Sequence, residues 1–198
     1  MTILTAPASP LTDGVVELRL PSPDAGDVTT INQYVERKQL DGAWLPDVPL
    51  VTGDRLIDDW LDGWAGHPSH NGPAFVVTVP DEPGFVGVVG VAERDDDDGA
   101  FDVSYGTAPG WRGRGLASRA TRLAAQWVAQ QPSVRCVEAR IGPDQRAGER
   151  VAVKAGFVLA ESIPHSDPVA GNTVELRYVM NEPPATGSGS GIAEPASG

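Results

Sequence analysis

Gly106-Thr107-Ala108-Pro109-Gly110-Trp111-Arg112-Gly113-Arg114-Gly115-Leu116-Ala117 is the stretch on which the reading of this chain turns. Before it, Phe101-Asp102-Val103-Ser104-Tyr105 alternates in polarity and predicts a strand. After it, apolar residues fall at 116, 120, 123, 124, 127 and 128, the spacing of one helix face. The chain therefore runs from strand to basic glycine loop to helix. A helix start presents N–H groups without internal partners and the positive end of the dipole. Gly113 and Gly115 clear side chains from that backbone, and Arg112 and Arg114 add positive charge. Such a loop suits a phosphate or a pyrophosphate.

Two familiar phosphate patterns fail here. No lysine follows the glycines, as a Walker loop requires, and Ser118 replaces the third glycine of a dinucleotide loop. The stretch instead resembles the signature of the GNAT acetyltransferase superfamily, Arg/Gln-x-x-Gly-x-Gly/Ala, read here from Arg112 to Ala117. Thr107-Ala108-Pro109 matches the family's preceding hydrophobic-x-Pro, with a polar first residue. Further on, Gly148-Glu149-Arg150-Val151-Ala152-Val153-Lys154-Ala155-Gly156-Phe157 resembles the family's Asn-x-x-Ser-x-x-Val-x-x-Lys-x-Gly-Phe, above all in the branch with the ribosomal-protein N-terminal acetyltransferases. The opening Glu-Leu-Arg-Leu-x-x-x-Asp within residues 16–24 resembles the start of that branch. Gln145 stands where the family usually has Asn, and Gly148 where the branch usually has Ser.

The resemblance spans about residues 14–180 and implies an α/β (α+β) GNAT fold. That is a mixed central sheet of about seven strands, splayed at the acetyl-CoA site, with about four helices. It also implies that acetyl-CoA is held as co-substrate by Tyr105, Gly106, Thr107, the loop residues Arg112, Gly113, Arg114, Gly115, Leu116 and Ala117, and Gln145.

The remaining elements follow from pattern. Residues 1–13 are polar with two prolines and read as a flexible arm. Residues 15–20 make a first strand; helices are expected at about 25–39 and from 52 or 54 to 65. The second helix sets apolar residues at 56, 57, 60, 61 and 64 against an acidic face of Asp54, Asp58, Asp59 and Asp62. The loop between them places Trp44 and Leu45 as core plugs or pocket walls. His67 and His70 lie in a turn-rich break without a third metal ligand nearby. Strands follow at 75–79 and 84–92, a solvated acidic turn at 95–99, and a strand at 101–107. After the helix to 131 come a strand at 134–141, a short helix at 144–155 closed by Gly156, and strands at 157–163 and 173–180. Residues 181–198 are Gly/Ser/Pro-rich and read as a disordered tail. One domain, 14–180, carries the core.

Composition sets bounds on the rest. With 27 acidic and 15 basic residues, a net charge of −12 argues against nucleic acid and is compatible with a cationic substrate. No apolar run is long enough for a membrane span, and the N-terminus lacks a secretory signal. The single cysteine, Cys136, excludes an internal disulfide and a multi-cysteine metal site. No metal is expected, and the location is read as cytoplasmic.

The implied reaction moves an acetyl group from a thioester to a primary amine by direct attack, so Cys136 need not be a nucleophile. The acceptor is a small-molecule amine or a protein N-terminus; a homodimer is left open. A proton acceptor is sought among Asp102, Glu93 and Glu138. The helix at 144–155 has no hydroxyl to protonate the leaving thiolate, so either water does so or a hydroxyl is borrowed from another element, with Ser104 and Tyr105 the nearest candidates. The alternative is an acetyl-CoA-binding regulatory or degenerate module without turnover.

Overall fold

The computed structural model describes residues 4–23, 26–40, 53–64, 73–94, 97–132, 134–142, 144–167 and 171–180. The loop with Trp44 and Leu45, the turn with His67 and His70, Asp95 and Asp96, and the tail at 181–198 lie outside them.

The described chain runs β1 (Leu11–Thr12), β2 (Glu17–Arg19), α1 (Asp27–Leu40), α2 (Gly53–Trp64), β3 (Ala74–Val79), β4 (Glu82–Arg94), β5 (Asp97–Thr107), α3 (Leu116–Ala129), β6 (Cys136–Ile141), α4 (Arg146–Ala155), β7 (Phe157–Asp167) and β8 (Gly171–Met180). The strands form one eight-stranded sheet in the order β1-β2-β3-β4-β5-β6-β8-β7. Among the described residues, only β5 and β6 pair in parallel; every other pairing is antiparallel.

That parallel pairing is short. It joins Ala100 to Cys136, Phe101 to Val137 and Asp102 to Glu138, and stops. Beyond it β5 continues to Thr107 against β4 alone, while β6 continues to Ile141 against β8. The sheet therefore opens into a V whose vertex lies at Asp102 and Glu138.

Alternation along the strands fills two cores. Phe75, Val77, Val89, Val91, Phe101 and Val103 join α3 and α4 on one face. Ala74, Val76 and Phe85 join Ile31 of α1 and Leu56, Ile57 and Trp60 of α2 on the other. The apolar stripe expected on the second helix is buried at 56, 57, 60 and 64, and Asp58 and Asp62 on its far side are exposed.

Two expectations change. The sheet has eight strands where about seven are expected, because β1 adds an edge to β2. From Leu4 onward, residues 1–13 are docked rather than loose. Leu4 is 5% exposed in the larger core, and Asp13 accepts hydrogen bonds from the amides of Val15 and Val16 and from Arg119. Polar, proline-bearing composition hid one anchoring leucine and one self-capping turn.

Candidate functional site

At the open end of the V, Pro109–Trp111 form a single 3-10 turn. Gly113 and Gly115 follow with φ of 80° and 78°, a left-handed conformation that side chains resist. A Cβ on either would meet no atom within 4 Å, so the backbone there is open. Gly115 is the N-cap of α3, and no side chain caps that helix start. Its first amides are left for an outside partner. Arg112 donates from Nε to the Thr107 carbonyl at 3.2 Å, and the Arg114 guanidinium lies over the Trp111 ring. Open amides, a helix start and two arginines fit a pyrophosphate.

The glycines of the neighbouring strands have a different cause. A Cβ on Gly87 would stand 2.0 Å from the Gly106 carbonyl oxygen, so β4 and β5 can approach there only without a side chain at 87.

Inside the V the side chains separate by face. Tyr105 shares the α3/α4 face with Phe101 and Val103 and packs against that core. Its hydroxyl donates to the Gly148 carbonyl of α4 at 2.8 Å, spanning the opening from β5 to α4. Burial above all, with nearby Tyr178, pushes the Tyr105 phenol up to about 12. Ser104 is exposed on the opposite face, beside Gly90. The two hydroxyls considered together in the sequence are thus held apart by strand alternation.

The carboxylates separate as well. Asp102 stands at the vertex. Its Oδ2 accepts from Arg94 at 3.3 Å, and its Oδ1 lies 3.9 Å from Arg140 Nε. Burial raises the Asp102 carboxyl despite these arginines, and Glu138 and Glu175 add to the rise. Glu138 is 1% exposed and accepts both hydrogen bonds of Arg177, at 2.7 and 3.0 Å. That is a closed ion pair. Glu93 accepts from the Gly99 amide at 3.2 Å, at the β4–β5 turn and far along β4 from the loop. Of the three carboxylates, Asp102 alone stands at the vertex without a bidentate guanidinium closing it.

Gln145 caps α4 with its backbone and leaves its side chain over the Gly142 turn. Sequence reading missed Tyr178 and Glu149, where the phenol donates to Oε2 at 3.4 Å next to the Tyr105 contact. The inward position of Tyr178 follows from alternation with Leu176 and Met180, but its nearness to α4 needed the strand order. Cys136 is half-buried, and burial pushes its thiol up, which suits a packing residue. Among the described residues, no cluster of His, Cys, Asp and Glu could hold a metal ion, and no helix is long and apolar enough to cross a membrane.

A family model described as an acetyltransferase (GNAT) domain matches residues 16–158. No curated protein matches the chain. Among solved structures, a GNAT-family acetyltransferase from Bacillus anthracis superposes with a TM-score of 0.68 at 14% identity, over 87% of this chain and 98% of that one. A ribosomal-protein-S5-alanine acetyltransferase from Vibrio fischeri gives 0.68 at 19% identity, over 86% and 95%. A spermidine N-acetyltransferase from Vibrio cholerae, in complex with CoA and spermine, gives 0.65 at 15% identity, over 85% and 96%. At such identities the likeness is one of fold.

Proposed function

The chain belongs to the acetyltransferase (GNAT) domain family, and we propose that it moves the acetyl group of acetyl-CoA to a primary amine by direct attack within the V between β5 and β6. The observation that carries this reading is the opening of the sheet beside an uncapped helix start. The amides of residues 112–117, with Arg112 and Arg114, hold the pyrophosphate. The opening beyond Asp102 takes the arm that ends in the thioester, between the backbone of residues 105–107 and Gln145. Acetyl-CoA supplies the activated acetyl group; the chain supplies position and charge.

An amine attacks only when neutral. Asp102, with its raised carboxyl at the vertex, takes the proton, directly or through water. On the leaving side, Tyr105 brings to Gly148 the hydroxyl that α4 lacks. A phenol near 12 does not give its proton to a thiolate whose conjugate acid lies near ~8.5. Its role is that of a fixed hydrogen-bond donor, exchanging the Gly148 carbonyl for the departing sulfur. Water then protonates the thiolate. The acceptor is a small-molecule amine or a protein N-terminus, and the acid surplus favours a cationic one. With one half-buried cysteine the chain suits the cytoplasm.

Calorimetry and a thiol-release assay test this together. The wild type is expected to bind CoA and to release thiol with an amine from a panel of polyamines and peptides. Gly115→Glu places a like charge at the helix start and is expected to weaken CoA by tenfold or more, with folding checked by thermal melting. Unchanged affinity in that variant would remove the loop assignment. Binding without thiol release from any amine would favour a coenzyme-binding module.

A further inference from the structure

The guanidinium carbon of Arg114 lies 4.8 Å from the centroid of the Trp111 ring. Trp111 is half-buried and packs against the larger core. Arg114 is exposed, and the left-handed Gly113 and Gly115 flank it. The loop thus sets an exposed cation between two residues that offer it no side chain. The ring next to it is anchored in the core.

We propose that Trp111 is a positioning residue for coenzyme binding: its ring holds the Arg114 guanidinium in one place beside the open loop backbone, ready for a phosphate. This rests on the coenzyme reading given above. A long side chain loses rotamer freedom when it closes on an anion, and one already resting on a ring has lost part of that freedom beforehand. The attraction of a cation to an indole face needs the aromatic quadrupole, which an aliphatic side chain of similar bulk lacks. A role in core packing alone would not depend on Arg114 at all. The two readings therefore differ in whether residues 111 and 114 act on affinity together.

A double-mutant cycle on CoA affinity, measured by calorimetry, separates them. Trp111→Leu is expected to weaken CoA about two- to fivefold, the range of an exposed cation–aromatic contact. Trp111→Phe, which keeps a ring, is expected to recover most of that loss. In an Arg114→Ala background, Trp111→Leu is expected to cost little more. An equal cost with and without Arg114, no cost, or tighter binding would overturn the inference. A second measurement leaves Trp111 in place. Titrating CoA is expected to change the indole emission of the wild type more than that of Arg114→Ala, and equal changes would count against the proposal. Failure of the wild type to bind CoA would overturn both this inference and the coenzyme reading. Binding by the wild type without coupling overturns this inference alone.

Discussion

At the scale of one residue, Tyr105 joins the strand at the V to the helix across it. Strand alternation turns it inward with Phe101 and Val103, and its length carries the hydroxyl to Gly148. Gly148→Ser, the change that would restore the family's hydroxyl, puts a Cβ 3.3 Å from Ile141 Cγ2, so Ile141 must yield slightly. Tyr105→Phe keeps the packing and removes the donor. If the phenol steadies the departing sulfur, turnover falls about a hundredfold in that variant, and acetyl-CoA affinity changes far less. Steady-state kinetics with a separate binding measurement checks this. The pH profile is a second check. A phenol raised from 10.0 to about 12 stays protonated across the working range, so Tyr105 contributes no alkaline limb below pH 10. Because the folded value is the raised one, its share of stability is whole below 10 and is lost as pH climbs through about 12. Nothing in the local sequence announced the contact. Alternation gave the direction of Tyr105, but its partner lies 43 residues on, in a segment placed only by the fold.

At the scale of the element, α4 is short and its ends decide whether it holds. Its C-terminus closes on Gly156 at φ 104°, a conformation that a side chain resists. Arg122 of α3 donates from Nε to the Ala155 carbonyl at 3.2 Å and from its second nitrogen to the Lys154 carbonyl. A cation on the last carbonyls satisfies orphan acceptors and faces the negative end of the dipole. Arg122→Ala is therefore expected to cost about 1–2 kcal/mol, since the side chain is solvent-exposed and its bonds are charge-assisted. Urea unfolding measures this, and an unchanged midpoint would deny the cap. The same helix shows what pattern reading can reach. Its extent and its closing glycine were visible in the sequence. Its tie to α3 was not, because an exposed arginine reads as solvated until a neighbouring helix end is placed under it. The turn before α3 was legible for the opposite reason. The left-handed φ of Gly113 and Gly115 follows from residue type, which is local information.

At the scale of the molecule, the N-terminal segment closes the sheet edge onto the helix that starts at the glycine loop. Composition suggested a loose arm, since sequence pattern has no measure of where one leucine lands. In the fold, Leu4 enters the core shared by β2 and α3, and β1 lies along β2. Asp13 then fastens the segment to Arg119 in the opening turns of α3, at 2.7 Å. These two anchors respond differently to acid. Burial alone would raise the Asp13 carboxyl, but bonds from the Val16 amide, Arg119 and the Val15 amide outweigh it and hold the group below its ordinary 3.8. A depressed folded value means that this contribution is present above 3.8 and lost as pH falls through the folded value. Leu4→Ala removes no charge. It is expected to cost about 2–3 kcal/mol by urea unfolding, the lower part of the range for a buried leucine, and to cost the same in acid as near neutrality. Asp13→Asn is expected to cost less than about 1 kcal/mol near neutrality, as a largely exposed pair should, and nothing once the wild-type carboxyl is protonated. An N-terminus that is loose in solution gives no loss in either variant at any pH. A loss in Leu4→Ala that fades with acid would mean that the leucine is held only through Asp13.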